Sequence, residues 1–241
     1  MKSLRSTTVA IVLAALALAL LLLLYAAVRD RPEDLPWTDL DLRQPIGLFT
    51  GRKLAALTDD FPACRKALDK AGVRYTALAP LSEENGKCGY EDAVRFRSGG
   101  ARRIGLAPSD LGMSCPVAAA LTVWEWEVVQ PAAQRHFGQK VAEIEHFGSY
   151  NCRRMYNREG ASWSEHATAD AVDIAAFRLA DGTRITLVGD WEGKGSKARF
   201  LKDVRDGACG TFSTVLSPDY NAAHRDHFHL DQAKRMWRVC R

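Results

Sequence analysis

Residues 164–173 and 224–229, two segments about fifty positions apart, constrain this chain more than any other feature of its 241 residues. The first reads Ser164-Glu-His166-Ala-Thr-Ala-Asp-Ala-Val-Asp173 and the second His224-Arg-Asp226-His227-Phe-His229; together they hold four of the six histidines. On a strand, His227 and His229 share one face while Phe228 and Leu230 take the other. Asp173 alternates in the same way with Val172 and Ile174, and a carboxylate so placed is costly to bury unless hydrogen-bonded or metal-bound. His166 lies on a loop where Ala167, Ala169 and Ala171 let backbone approach closely. His166, Asp173 and His229 thus form a two-histidine, one-carboxylate set, which with one open position is what a catalytic zinc ion needs. The chemistry expected is metal-dependent hydrolysis. His136 and His146 lack such company and read as structural. His224 reads as a loop residue or a partner standing behind a ligand.

The amino terminus bears on the compartment. Residues 9–28 are an unbroken apolar run without charge, about the length that spans a bilayer core as a helix. Lys2 and Arg5 precede it and favour a cytoplasmic amino terminus. The reading is a signal-anchor over residues 1–28, placing the chain in a bacterial inner membrane as a single-pass protein with its carboxy-terminal part in the periplasm. The rival is a cleaved signal peptide.

Six cysteines, Cys64, Cys88, Cys115, Cys152, Cys209 and Cys240, all lie outside the apolar run and form no Cys-x-x-Cys pair. In an exported chain they read as up to three disulfides, buried free thiols being the alternative. A Cys152–Cys209 bridge would tie together the two stretches that feed the site. The net charge of +4 comes from 33 basic and 29 acidic residues. With no clustered basic face, nucleic acid is excluded as a partner.

An extended linker is expected over residues 29–46, where Pro, Asp and Arg dominate, then a small helix–strand subdomain over 47–85 and the main domain over 86–241. Residues 60–72 have helical spacing with Asp60 as cap, and residues 73–78 alternate as a strand. A longer helix starts near Pro116 and bends or ends at Pro131, with Trp124 and Trp126 packing. Strands follow over 141–150, 172–179, 183–188, 212–216 and 227–230, with a helix at 196–205. Asp181-Gly182 favours a hairpin turn. The fold class is α+β, an antiparallel sheet with helices on one side, preceded by the one transmembrane helix.

Ser164-x-His166-x-x-Ala169-x-Ala171-x-Asp173 resembles the Ser-x-His-x-x-Gly-x-Ala-x-Asp signature of the LAS metallopeptidases. These are the lysostaphin-type enzymes, the D-Ala-D-Ala metallopeptidases and the amino-terminal domain of hedgehog proteins. Within that group, the stretch from about Cys88 to Cys240 is most similar to the bacterial extensin-like protein carboxy-terminal domain family. Cys88-Gly89, Leu106-Ala-Pro, Met113-Ser-Cys115-Pro, Gly148-Ser-Tyr-Asn-Cys-Arg153 and Asp226-His-Phe-His229 carry the likeness. The resemblance implies a hedgehog/D-Ala-D-Ala-peptidase-like sheet and makes His166, Asp173 and His229 the zinc ligands. It puts Asp226 where those peptidases keep the general base, His227 at the first histidine of the His-x-His pair, and Arg153 near a substrate-binding arginine. Ala169 departs from the usual Gly and asks for φ below zero there.

The function so implied is a membrane-anchored, periplasmic zinc-dependent hydrolase acting on peptide bonds of peptidoglycan. Asp226, with His227 as rival, would handle the proton, and Arg153 would hold a substrate carboxylate or the developing oxyanion. The alternative is a non-catalytic cell-wall-binding or scaffolding module that retains the zinc-peptidase fold.

Overall fold

A computed structural model of the protein describes residues 2–83 and 86–241. The first half of the chain forms α1 (Lys2–Arg29), α2 (Thr50–Ala56), α3 (Phe61–Lys70), β1 (Val73–Ala77), β2 (Leu81–Ser82), β3 (Gly89–Tyr90), β4 (Ala93–Gly100), β5 (Gly105–Ala107) and β6 (Gly112–Ser114). The second half forms α4 (Cys115–Trp124), α5 (Gln130–Phe137), β7 (Val141–Gly148), β8 (Ala171–Leu179), β9 (Arg184–Thr186), α6 (Leu187–Asp190), α7 (Ser196–Ala208), β10 (Thr214–Leu216), β11 (Phe228–Asp231) and β12 (Val239–Cys240).

The apolar amino-terminal run lies in α1, but among the described residues no helix is long and apolar enough to cross a membrane. The transmembrane helix, the signal-anchor over residues 1–28, the partnership with the inner membrane through residues 9–28 and the single-pass location are all corrected by this finding. The side chains of Lys2 and Arg5, which carried the orientation argument, lie outside those described, as does the expected domain boundary at Asn85.

Alternating burial organises the remainder as α+β. A sheet of order β12-β10-β11-β8-β7-β5, with β9 also paired to β8, forms the centre. Val172, Ile174 and Phe177 of β8 and Phe228 and Leu230 of β11 point into the core. Trp124 of α4 meets Phe177 at 5.9 Å and Phe212 at 6.5 Å between ring centroids, and its indole N–H donates to Val204 O of α7 at 2.8 Å. Trp126 packs against the same core.

The expected all-antiparallel sheet is corrected at both ends, because β5 runs parallel to β7 and β12 parallel to β10. The chain reaches β7 from β5 through the α4–α5 crossover, and a crossover returns a strand in the same direction. β12 follows β11 but lies on the far side of β10, so it shares the direction of β10.

A smaller sheet, order β1-β4-β6, sits under α3 and α4. Asp60 caps α3 by accepting from Ala63 N at 2.9 Å, and a Cys64–Cys115 disulfide joins α3 to α4. The long helix runs on past Pro131 to Phe137: a π-turn at Glu125–Val129 lies between α4 and α5 with helical backbone on both sides, and Pro131 sits in the first turn of α5 just after it. The Glu125 carboxylate there accepts from Arg103 N and Ile104 N and pairs with Arg102 at 2.7 Å. The remaining disulfides are Cys88–Cys152 and Cys209–Cys240, so Cys152 does not pair with Cys209: its partner is next to the β2–β3 hairpin.

Candidate metal centre

β8 and β11 are antiparallel neighbours in which His229 stands directly opposite Asp173. Phe228 and Leu230 bury themselves on the core face, so pleating leaves His229 on the other face beside Asp173. His166 comes from outside the sheet, on a 3-10 turn at Glu165–Thr168 whose start is capped by Ser164 Oγ accepting from His166 N. Ala169 ends that turn at φ 60°, ψ 15°. It therefore adopts the left-handed conformation usually given to Gly, and the expected change to negative φ does not occur. Its buried carbonyl accepts from Ser114 N at 2.9 Å and Ser149 Oγ at 3.1 Å, tying down the loop that presents His166.

The three ligand-type atoms form a triangle. His166 Nε2 lies 3.2 Å from Asp173 Oδ1 and 3.2 Å from His229 Nδ1, and His229 Nδ1 lies 3.1 Å from Asp173 Oδ1. One face of a tetrahedron with bonds of about 2.0 Å has edges of about 3.3 Å, so the spacing suits a small tetrahedral metal ion. The ring nitrogens turned away from the triangle are both engaged: His166 Nδ1–H donates to Ser149 O at 2.6 Å, and His229 Nε2–H donates to Asp231 Oδ2 at 3.2 Å. Such partners fix ring orientation at metal sites. Among the described residues no other group of three His, Cys, Asp or Glu side chains has this closeness.

Burial works to raise the Asp173 carboxyl, but hydrogen bonds from His166 and His229 outweigh it and hold it well below the usual carboxylate range. For His229, burial works downward, and hydrogen bonds to Asp173 and Asp231 overcome it and push the imidazole up to about 9. His224 is lowered to about 4, first by burial and then by His227 and His229 nearby. It donates from Nδ1 to Asn221 Oδ1 at 2.8 Å.

His227 precedes β11 and joins the group from the side, with Nε2 3.6 Å from Asp173 Oδ1. Its other nitrogen, Nδ1, lies 2.9 Å from Asp226 Oδ1. A cavity of about 180 Å³ opens over the triangle, lined by Arg153, Tyr156, Trp163, His224, His227 and Arg235 among others. Thus His166, Asp173, His229, His227 and Arg153 are brought together, while Asp226 is not among the lining residues and reaches the group through His227. His136 pairs with Asp203, and His146 donates to Pro108 O, both away from the cavity.

Asp231, Arg235, Tyr156 and Trp163 were not singled out from the sequence. For Asp231 the signal was present: it is two residues beyond His229 and thus on the same strand face. A wider hollow of about 540 Å³ beside Asp59, Tyr90, Asp92 and Asp170 carries no ligand triangle among the described residues.

No curated protein and no solved structure matches this chain. The model of the family described as extensin-like protein C-terminus matches residues 62–241, which takes in α3 after its first residue, both larger sheets and every residue of the triangle. The chain belongs to the extensin-like protein C-terminus family.

Proposed function

We propose that this protein is a zinc-dependent hydrolase that cleaves peptide bonds in peptidoglycan stems, working in an oxidising compartment. The observation that carries the reading is the triangle of His166 Nε2, Asp173 Oδ1 and His229 Nδ1 with edges of 3.1–3.2 Å beneath an open cavity. Imidazole and carboxylate ligands with one position free suit a catalytic zinc site. Zinc bound there would supply Lewis-acid polarisation of a carbonyl and a water of lowered pKa.

The chain's own residues supply the proton handling. His227 offers Nε2 beside the triangle while Asp226 engages Nδ1. This is the arrangement of a general base held in one tautomer by a carboxylate. His227 therefore takes the proton from water and passes it to the leaving amine, and Asp226 orients His227. Arg153, on the cavity wall, meets a substrate carboxylate or the developing oxyanion. Tyr156 and Trp163 offer apolar wall to the stem.

Kinship with the LAS metallopeptidases, and with it the choice of peptidoglycan, is supported by the spacing of Ser164, His166, Ala171 and Asp173 and by the Asp226-His-Phe-His229 run. Three disulfides accord with an exported protein. The test is incubation of the purified protein with peptidoglycan, with and without chelator, followed by mass spectrometry of released fragments. Chelator-sensitive release of peptides supports the reading. Binding to peptidoglycan without any release would favour the wall-binding alternative.

A further inference from the structure

We propose that Asp231 is a positioning residue of the metal centre: it holds His229 in the tautomer whose Nδ1 lone pair faces Asp173 and His166. The proposal rests on the metal reading above and concerns the layer behind the ligands.

Asp231 is 1% exposed and ends β11 two residues after His229, on the same face. Its two oxygens have separate duties. Oδ1 accepts from Ala233 N at 3.0 Å, and Oδ2 accepts from His229 Nε2–H at 3.2 Å. The backbone holds it just as firmly, since its carbonyl accepts from Ser213 N at 2.9 Å and it stands opposite Thr214 of β10 and Ala171 of β8. Arg235 Nη2 lies 3.9 Å from Oδ2, and Arg235 Nε donates to Thr214 Oγ1 at 2.8 Å. The carboxylate is therefore fixed in place before any ligand arrives.

A neutral imidazole carries one N–H, and whichever nitrogen holds it cannot ligate. An acceptor fixed behind Nε2 draws the proton there and leaves Nδ1, the nitrogen at the triangle, free. Asparagine has almost the same shape but only one oxygen. If that oxygen keeps Ala233 N, the amide NH2 faces Nε2 and favours a proton on Nδ1, which closes the ligand position. If the oxygen turns to His229, Ala233 N loses its partner in a buried place. The two ligand histidines also differ in kind: His166 is backed by a neutral carbonyl, His229 by a carboxylate, which makes His229 the more basic donor.

The test is zinc affinity by competition with a chromophoric chelator, with the melting of each zinc-free protein measured alongside. Asp231→Asn is expected to lower affinity about 10–100-fold, the usual effect of losing such a partner. Gln232→Ala serves as control: Gln232 is as buried and bonds Thr211 O and Ser213 Oγ, so it should lower melting and leave affinity unchanged. Equal affinity in wild type and Asp231→Asn overturns the proposal, and so does an equal loss in Gln232→Ala. Should Asp231→Asn fail to fold, nitrogen NMR of the zinc-loaded wild type decides. Metal on Nδ1 and a proton on Nε2 of His229 support the proposal, and metal on Nε2 overturns it. A wild type that takes up no zinc sinks the metal reading itself and this proposal with it.

Discussion

Asp226 and His227 are neighbours in sequence, yet only His227 faces the candidate metal site; Asp226 meets it from behind at 2.9 Å, on the opposite ring nitrogen from Asp173. This arrangement assigns different costs to the two residues. His227→Ala should lower peptide release by about 10²–10⁴, the worth of a positioned general base. Asp226→Asn should cost less, because an amide oxygen still accepts from Nδ1–H. Fragment release by mass spectrometry, with zinc content measured for both variants, checks the order. A fully active His227→Ala protein would falsify the assignment.

Zinc content itself depends on the triangle. His166→Ala or His229→Ala removes one of three ligands, and each variant should purify with little or no zinc while wild type holds one per chain. Elemental analysis of protein made in zinc-containing medium reads this directly, and full occupancy in either variant would remove that residue from the ligand set.

Stability against pH should differ between the zinc-free and zinc-loaded protein. His229 is raised to about 9 in the fold against an ordinary value near 6.5. Its protonated form thus contributes stability that is complete below about 6.5 and is lost as pH rises through about 9. His224 has the opposite sign: lowered to about 4, it contributes stability that is present above about 6.5 and lost as pH falls through about 4. Zinc-free protein should therefore melt highest near pH 6.5, falling on either side. Zinc-loaded protein should lose the alkaline decline, since bound His229 carries no proton on Nδ1 in either pH range. Melting curves across pH 4–10, with and without chelator, test both limbs.

Cys88–Cys152 places a covalent tie one residue before Arg153. Replacing both cysteines by Ser should destabilise the protein by about 2–5 kcal/mol and loosen the Arg153 wall of the cavity. Denaturant unfolding reads the first effect. Faster hydrogen exchange over residues 150–158 than over β8 would read the second, and unchanged exchange there would separate the disulfide from the cavity.

Gly207 of α7 lies so close to the π-turn that an added Cβ would stand 2.2 Å from Val128 Cγ1. Gly207→Ala, which in an exposed helix would stabilise, should here cost about 1–3 kcal/mol through overpacking. Val128→Ala in the same chain should recover part of that loss, and equilibrium unfolding of the single and double variants reads the recovery.

Side-chain alternation made the site legible: Val172-Asp173-Ile174 and Phe228-His229-Leu230 each pair an open-face ligand type with core neighbours, and the structure sets them opposite one another. That pairing was not itself readable, because alternation tells which way a residue points and not which strand lies beside it. A Cys152–Cys209 bridge does not form for the same reason: nearness to a shared site in sequence does not tell which sulfurs meet. The bend or end expected at Pro131 is absent; the irregularity is instead a π-turn at Glu125–Val129, where the buried Glu125 carboxylate accepts from Arg103 N and Ile104 N. A signal from composition alone was weakest at the apolar amino-terminal run, where residue type promised a membrane span that no described helix provides.

The direct opposition of His229 and Asp173 also makes the site a gauge of strand alignment. A slip of β11 by one position would turn His229 into the core and bring Phe228 or Leu230 to face Asp173. Neither one-residue neighbour sets a ligand-type side chain of β11 opposite Asp173, so metal binding would select the observed alignment over both. Any metal that binds the folded chain alone stabilises it by an amount that grows with the logarithm of metal concentration. The ion, in that sense, would proofread the sheet as well as serve its chemistry.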